Sequence, residues 1–269
     1  MRYTGIQPHY FPRLHYFARI LSADTFVIRD DVQFVRKHKY PGGKTGKSYQ
    51  AHTPIKHAGG IHLLMTPIQH NGKKSIDKTE VQYNNGWVET HSKTIEIFYR
   101  KSPNFSKIFP EIQVILKNKY RTVADLNIAT ILWGLLRLIG FEKVNVDQLS
   151  FDFVPTKLKK QNIFRLKSIR KASESKSLKR PQNADPNEKI IALIKEAGAN
   201  EDYCGGTGVA AYMDKDLFEK HGIKITIQDW KCREYSQLYK KQQGFIPNLS
   251  IIDLLMNVST DEAVKIIKG

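Results

Sequence analysis

The sequence predicts an α/β protein: a mostly parallel sheet that opens with a strand–turn–helix–strand unit, and a helical C-terminal half. Three observations predict it. Residues 3–8 and 25–29 run or alternate apolar, as buried strands do. Between them, Leu14, Phe17, Ala18, Ile20 and Leu21 recur at helical spacing. Later, apolar residues keep helical spacing over 87–101, 107–120 and 123–139. A strand followed by a helix and another strand is how parallel sheets begin.

Residues 35–62 are rich in Gly, Pro and Lys and read as a loop or lid, and Leu63–Ile68 as a short strand. The helix at 123–139 is the most apolar and is expected in the core. Val144–Phe153 alternates and reads as a strand. Residues 155–187 break the composition: Lys157, Lys159, Lys160, Arg165, Lys167, Arg170, Lys171, Lys176, Lys179 and Arg180 stand among few acids. The expected division is an N-terminal α/β domain over 1–154 holding the active site, a basic linker or insertion over 155–187, and an α/β segment over 188–269 that completes the site. In that last segment a helix is expected at 187–197, a glycine-rich turn at 204–208, a strand at 223–227 and an amphipathic segment from Ser250 to Met256.

The chain has 269 residues, with 43 Lys plus Arg against 26 Asp plus Glu, a formal charge of +17. Such a surface favours anionic partners. A small anionic substrate such as a nucleotide sugar fits, and nucleic acid is the alternative through 155–187. That segment has one aromatic residue, Phe164, which argues against a base-stacking platform. The longest apolar stretch, Ile128–Phe141, has 14 residues and contains Arg137. A membrane span needs about 20, so a cytoplasmic protein is expected. Cys204 and Cys232 form no Cys-x-x-Cys pair.

The chemistry-bearing residues cluster at expected strand ends. His9, with Tyr10, sits in the turn after the first strand, where a histidine can donate to a phosphate or work as acid or base. A turn histidine bonded to backbone is the alternative. His15 falls in the helical pattern and reads as a packed residue. Asp30, Asp31 and Gln33 follow the second strand; adjacent carboxylates point to opposite faces if the strand continues. Either a base or a strand-end turn fits them. Tyr203 precedes Gly205, Gly206 and Gly208, whose amides could approach an anionic ligand, though a tight turn also explains them. The segment has neither P-loop nor dinucleotide-fingerprint spacing. His52, His57, His62 and His70 match no zinc-ligand spacing, so no metal site is expected, and no cofactor is assigned. A strand followed by a histidine-bearing turn and a helix is also how nucleotidyltransferases grip phosphates, but their glycine signature is missing. No Gly-x-Ser-x-Gly elbow is present.

These segments together resemble the WbqC-like family. The matching residues are Ile6-Gln7-Pro8-His9-Tyr10-Phe11-Pro12 with Tyr16-Phe17, and Ala23-Asp24 with Phe26-Val27 leading into Asp30-Asp31-Val32-Gln33-Phe34. Trp87 with His91, Tyr99, and Lys101 to Phe105 follow. The last matches are Tyr203 with Gly205-Gly206, Tyr212, Tyr235 with Gln237, and Phe245 to Leu255, including Asp253. The resemblance implies a role in making O-antigen-like surface glycans, with transfer of a glycyl or other small acyl group onto a sugar amine. It implies His9, Tyr10, Asp30, Asp31, Gln33, Tyr203, Gly206 and Asp253 as motif residues. His15 replaces a glycine usual in the family, Lys39 to Gly43 replaces an Arg-Asn pair, and a Ser-Ser pair is missing near Ser150.

Overall fold

The computed structural model describes residues 1–39, 45–69, 72–179 and 185–269. Five strands make one parallel sheet: β1 (Arg2–Ile6), β2 (Thr25–Ile28), β7 (Ser168–Lys171), β8 (Glu201–Cys204) and β9 (Lys224–Ile227), in the order β7-β2-β1-β8-β9. The opening unit is as expected, with α1 (Leu14–Leu21) between β1 and β2. Between β2 and β7 the chain inserts β3 (Lys37–Lys39), β4 (Thr45–Lys47), β5 (His52–His57), β6 (Gly60–Met65), α2 (Trp87–Tyr99), α3 (Phe105–Lys117), α4 (Val123–Leu138) and α5 (Phe153–Gln161). The C-terminal part adds α6 (Pro186–Glu196), α7 (Gly206–Tyr212), α8 (Lys215–Lys220), α9 (Lys240–Gln243), α10 (Ile251–Asn257) and α11 (Thr260–Lys268).

Side chains alternate across the sheet, so each face has its own core. Tyr3 and Val27 pack with Ile190 and Ile194 of α6 and with Phe218 of α8. Phe26 and Ile28 join the larger core of α1, α4, α10 and α11. Helix α4 is buried along nearly its whole length, which is why it reads as apolar all round. Thr122 and Asp125 close a reciprocal capping box at its start. Gly134 of α4 lets Phe17 of α1 dock against the helix backbone: a Cβ there would stand 2.5 Å from the ring.

Two expectations give way. Residues 35–62 are not all loop, for β3, β4 and β5 lie there, although residues 40–44 fall outside the described part. Pro54 and a buried lysine, Lys56, disguise β5 as a loop. It nevertheless pairs antiparallel with β6, which begins before the expected strand and ends at Met65. The alternating run 144–153 is not a strand. Asn145 and Gln148 hydrogen-bond each other into a short 3-10 turn, and α5 starts at Phe153. Local side-chain bonds outcompete a ladder that has no partner. Finally, the segment 155–187, expected as a basic linker or insertion, supplies β7, the strand at one edge of the central sheet.

Gly134→Ala should lower the unfolding free energy by about 1–3 kcal/mol, since the added methyl overpacks the α1–α4 contact. Urea denaturation measures it; an unchanged midpoint would show that Phe17 relocates freely.

Candidate functional site

The turn from β1 to α1 is held from several sides. Asn127 of α4 donates to the carbonyls of Pro8 (2.9 Å) and Gln50 (2.7 Å), and Gln50 donates to the Gln7 side chain (2.7 Å). The Phe11 N–H donates to Thr130 Oγ1, while its carbonyl accepts from Thr53 and Ser250. Those bonds hold Phe11 at φ 37°, a conformation that costs a non-glycine residue free energy. Tyr10 and Phe11 are consequently buried in the core, and Gln7 and His9 are turned toward a pocket. The His9 ring packs against Tyr16 and Tyr49, with centroids 5.0 and 5.5 Å away.

That pocket, of about 550 Å³, opens where β1 and β8 end. The chain leaves β1 for β2 and β7 on one side and returns to β8 and β9 on the other. Such a reversal leaves a crevice beyond the strand ends, where ligands of open α/β sheets bind. Two half-buried arginines face it. Arg29 is gripped by both oxygens of Asp31, at 2.8 and 3.1 Å. Arg19 donates to Gln228 (2.8 Å) and lies flat on Gly205, where a Cβ would come within 2.7 Å of its guanidinium. Tyr3 and Asp202 are register partners on β1 and β8 and face the same pocket. Asp202 is 3% exposed, and its carboxyl feels the charges of Arg19 and Arg29. The Tyr3 hydroxyl, packed over Gly5, is buried without a partner.

His15 stands on the pocket wall as well. Its Nδ1 is 3.1 Å from Asn248 Oδ1, which also accepts from the His15 amide, so the proton is assigned to Nδ1. Burial, reinforced by the positive charge of Arg19, pushes its pKa down to about 4, and the ring is neutral at pH 7 with Nε2 unprotonated.

Of the residues singled out from sequence, His9, Gly205 and Gly208 line this pocket. Asp31 acts on it through Arg29. The others lie elsewhere. Asp30 accepts from the amide (2.9 Å) and hydroxyl (2.6 Å) of Ser173, tying the end of β2 to the turn after β7. Tyr10 meets His91 in the core (3.0 Å). Gln33 is exposed in a separate cleft with Arg36 and Lys74. Tyr203 carries Arg2 over its ring at 4.7 Å, and Gly206 packs on Ile227. Asp253 is fully buried and accepts from Tyr99 (2.8 Å) and Tyr235 (2.7 Å).

Sequence reasoning missed Tyr3, Arg19, Arg29 and Asp202, and set His15 aside. Arg29 and Asp31, two apart after a buried strand, were a legible signal. Arg19 and Asp202 were not, because only the sheet order brings α1 and β8 together.

In the basic segment, Arg165 pairs with Asp24 (2.8 Å), Lys157 lies over the Phe153 ring (4.9 Å), and Phe164 is buried. Residues 180–184 lie outside the described part. His57 and His62 pack on Phe98, and His70 is among the undescribed residues. No helix among the described residues is long and apolar enough to cross a membrane.

A family model described as the WbqC-like protein family matches residues 7–265. The chain is also similar to the "Uncharacterized protein Rv1507c" of Mycobacterium tuberculosis. The two are 24% identical over 260 residues, which cover 95% of this chain and 93% of that protein. No solved structure matches.

The buried histidines predict a pH dependence. Burial lowers both His15 and His91 from 6.5 to about 4. The unfolded chain therefore takes up protons first. The stability these neutral rings contribute is complete above pH 6.5 and is lost as the pH falls toward about 4. Urea titrations across that window should show a fall of about 3 kcal/mol per histidine. A slope unaltered by His15→Gln would exclude His15 as a contributor.

Proposed function

The chain belongs to the WbqC-like protein family, and we propose that it is a cytoplasmic transferase of surface-polysaccharide synthesis that adds a small acyl or aminoacyl group, such as glycyl, to a nucleotide-linked amino-sugar. One observation carries the reading: the pocket at the sheet's reversal point is lined by two fixed arginines, Arg19 and Arg29. Each guanidinium is held by a neighbouring side chain, so little side-chain entropy remains to be lost when an anion binds. Numbered along the chain, the strands run 3-2-1-4-5, the order of doubly wound nucleotide-binding sheets without their sixth strand. That support is analogy at the level of fold. The +17 charge adds long-range attraction for an anionic substrate. Of the residues expected as bases, His9 is the one on the pocket wall.

The same strand order and the histidine after β1 also favour a second reading, nucleotidyl transfer. Stabilisation by ATP with Mg²⁺ but not by nucleotide sugars would move the assignment there.

Titration calorimetry with a panel of nucleotide amino-sugars tests the proposal. At least one should bind, and Arg19→Met and Arg29→Met should each weaken it by tenfold or more, about 1.4 kcal/mol. Incubation of that ligand with activated acyl donors should give a product heavier by the acyl group. Affinity unchanged in both variants would remove the pocket from the substrate site.

A further inference from the structure

We propose that Asp202 is the residue that receives the substrate's amine: its carboxylate pairs with the ammonium group and takes its proton, with the Tyr3 hydroxyl beside it as a donor to the same ligand. This rests on the transferase reading above and assigns it a base. The ligand class is an anion that carries a primary amine, because the pocket offers two cations and one carboxylate.

The geometry is specific. Asp202 is 3% exposed and Tyr3 1% exposed, yet both face the pocket, side by side on adjacent strands. The Tyr3 hydroxyl is buried without a hydrogen-bond partner, and the charges that act on the Asp202 carboxyl are those of Arg19 and Arg29. Buried polar groups are almost always bonded. An orphan hydroxyl beside a carboxylate without an ion-pair partner, in one cavity, marks a place where a ligand completes the bonding. Arg19 and Arg29 flank Asp202 but are turned to Gln228 and Asp31, so neither forms an ion pair with it. The ionisable groups around it are Tyr3 on β1, Arg19 on α1, Arg29 after β2, Cys204 on β8 and Tyr212 on α7. Burial raises the Asp202 carboxyl to about 7, against the pull of the two arginines. A base in that range both accepts and returns a proton near neutrality.

In the step, the ammonium loses one proton to Asp202. The neutral nitrogen attacks the carbonyl carbon of the activated acyl donor and forms the amide bond. The bond to the leaving group breaks, and that group departs with its electron pair and the second proton from nitrogen. Asp202 then releases its proton to solvent.

The test compares a nucleotide amino-sugar with the analogue bearing a hydroxyl in place of the amine. Wild-type protein at pH 8 should bind the amine more tightly, by about tenfold, and the preference should vanish below about pH 6, where Asp202 is protonated. Asp202→Asn should abolish the preference at every pH, lower kcat by about 10²–10⁴-fold and remove the acid limb of the rate profile. Tyr3→Phe, which deletes only an unpartnered hydroxyl, should keep the preference and weaken both ligands. If Asp202→Asn fails to fold, the wild-type pH dependence decides. Equal binding of the two ligands by the wild type would overturn the role of Asp202 and leave the nucleotide-sugar reading standing. Binding of neither would overturn both.

Discussion

The site depends on one constraint, the clamping of the β1–α1 turn. Asn127 and Thr130 on the buried helix α4, Thr53 on β5 and Ser250 at the start of α10 all bond the backbone between Pro8 and Phe11. These partners come from three distant stretches of chain, so the turn takes its shape only when the insertion and the C-terminal helices have docked. Part of the hydrogen-bond energy is stored as strain at Phe11, whose φ is 37°. The outcome is a fixed alternation: Tyr10 and Phe11 enter the core while Gln7 and His9 face the pocket. The long insertion between β2 and β7 is thus more than an appendage, because it supports the turn from behind.

The electrostatics of the pocket follow from where each charge is anchored. Asp31 neutralises Arg29 locally but also fixes its direction, and Gly205 lets Arg19 lie against bare backbone. Asp202 is left as a desolvated carboxyl between two cations committed elsewhere. A direct ion pair with either arginine would hold that carboxyl ionised well below neutral pH. Keeping the three apart leaves it able to change charge in the physiological range.

The sequence displayed the strand–turn–helix–strand opening and the long helices because their periodicity is local. It also displayed the glycines at 205–208 and His9. Other features were hidden for physical reasons. β5 contains Pro54 and the buried Lys56, whose ammonium bonds Gln237 (2.9 Å) and the Gly244 carbonyl (2.6 Å), and both partners lie far along the chain. The run at 144–153 has strand periodicity without a strand to pair with. Asp202 looked like an ordinary polar residue because its meaning comes from its register with Tyr3, some two hundred positions away in sequence. Motif residues such as Tyr10 and Asp253 belong to the recognisable pattern, yet they hold the fold and lie away from the pocket.

Asp30 and Asp31 show why adjacent members of a motif need not share a task. After β2 the two carboxylates diverge. Asp30 turns into the protein and accepts two bonds from Ser173, which anchors β7 to the end of β2. Asp31 turns to Arg29, which lines the pocket. Burial raises the Asp30 pKa while the Ser173 bonds lower it, so its charge is costly unless those bonds stay formed. Both residues sit on the one strand end that the pocket wall and the insertion share. Loss of Asp30 would loosen the junction from which the insertion departs, and loss of Asp31 would release an arginine into the pocket. A pattern search sees a single acidic pair, whereas the folded chain uses one member to hold the scaffold and the other to aim a charge.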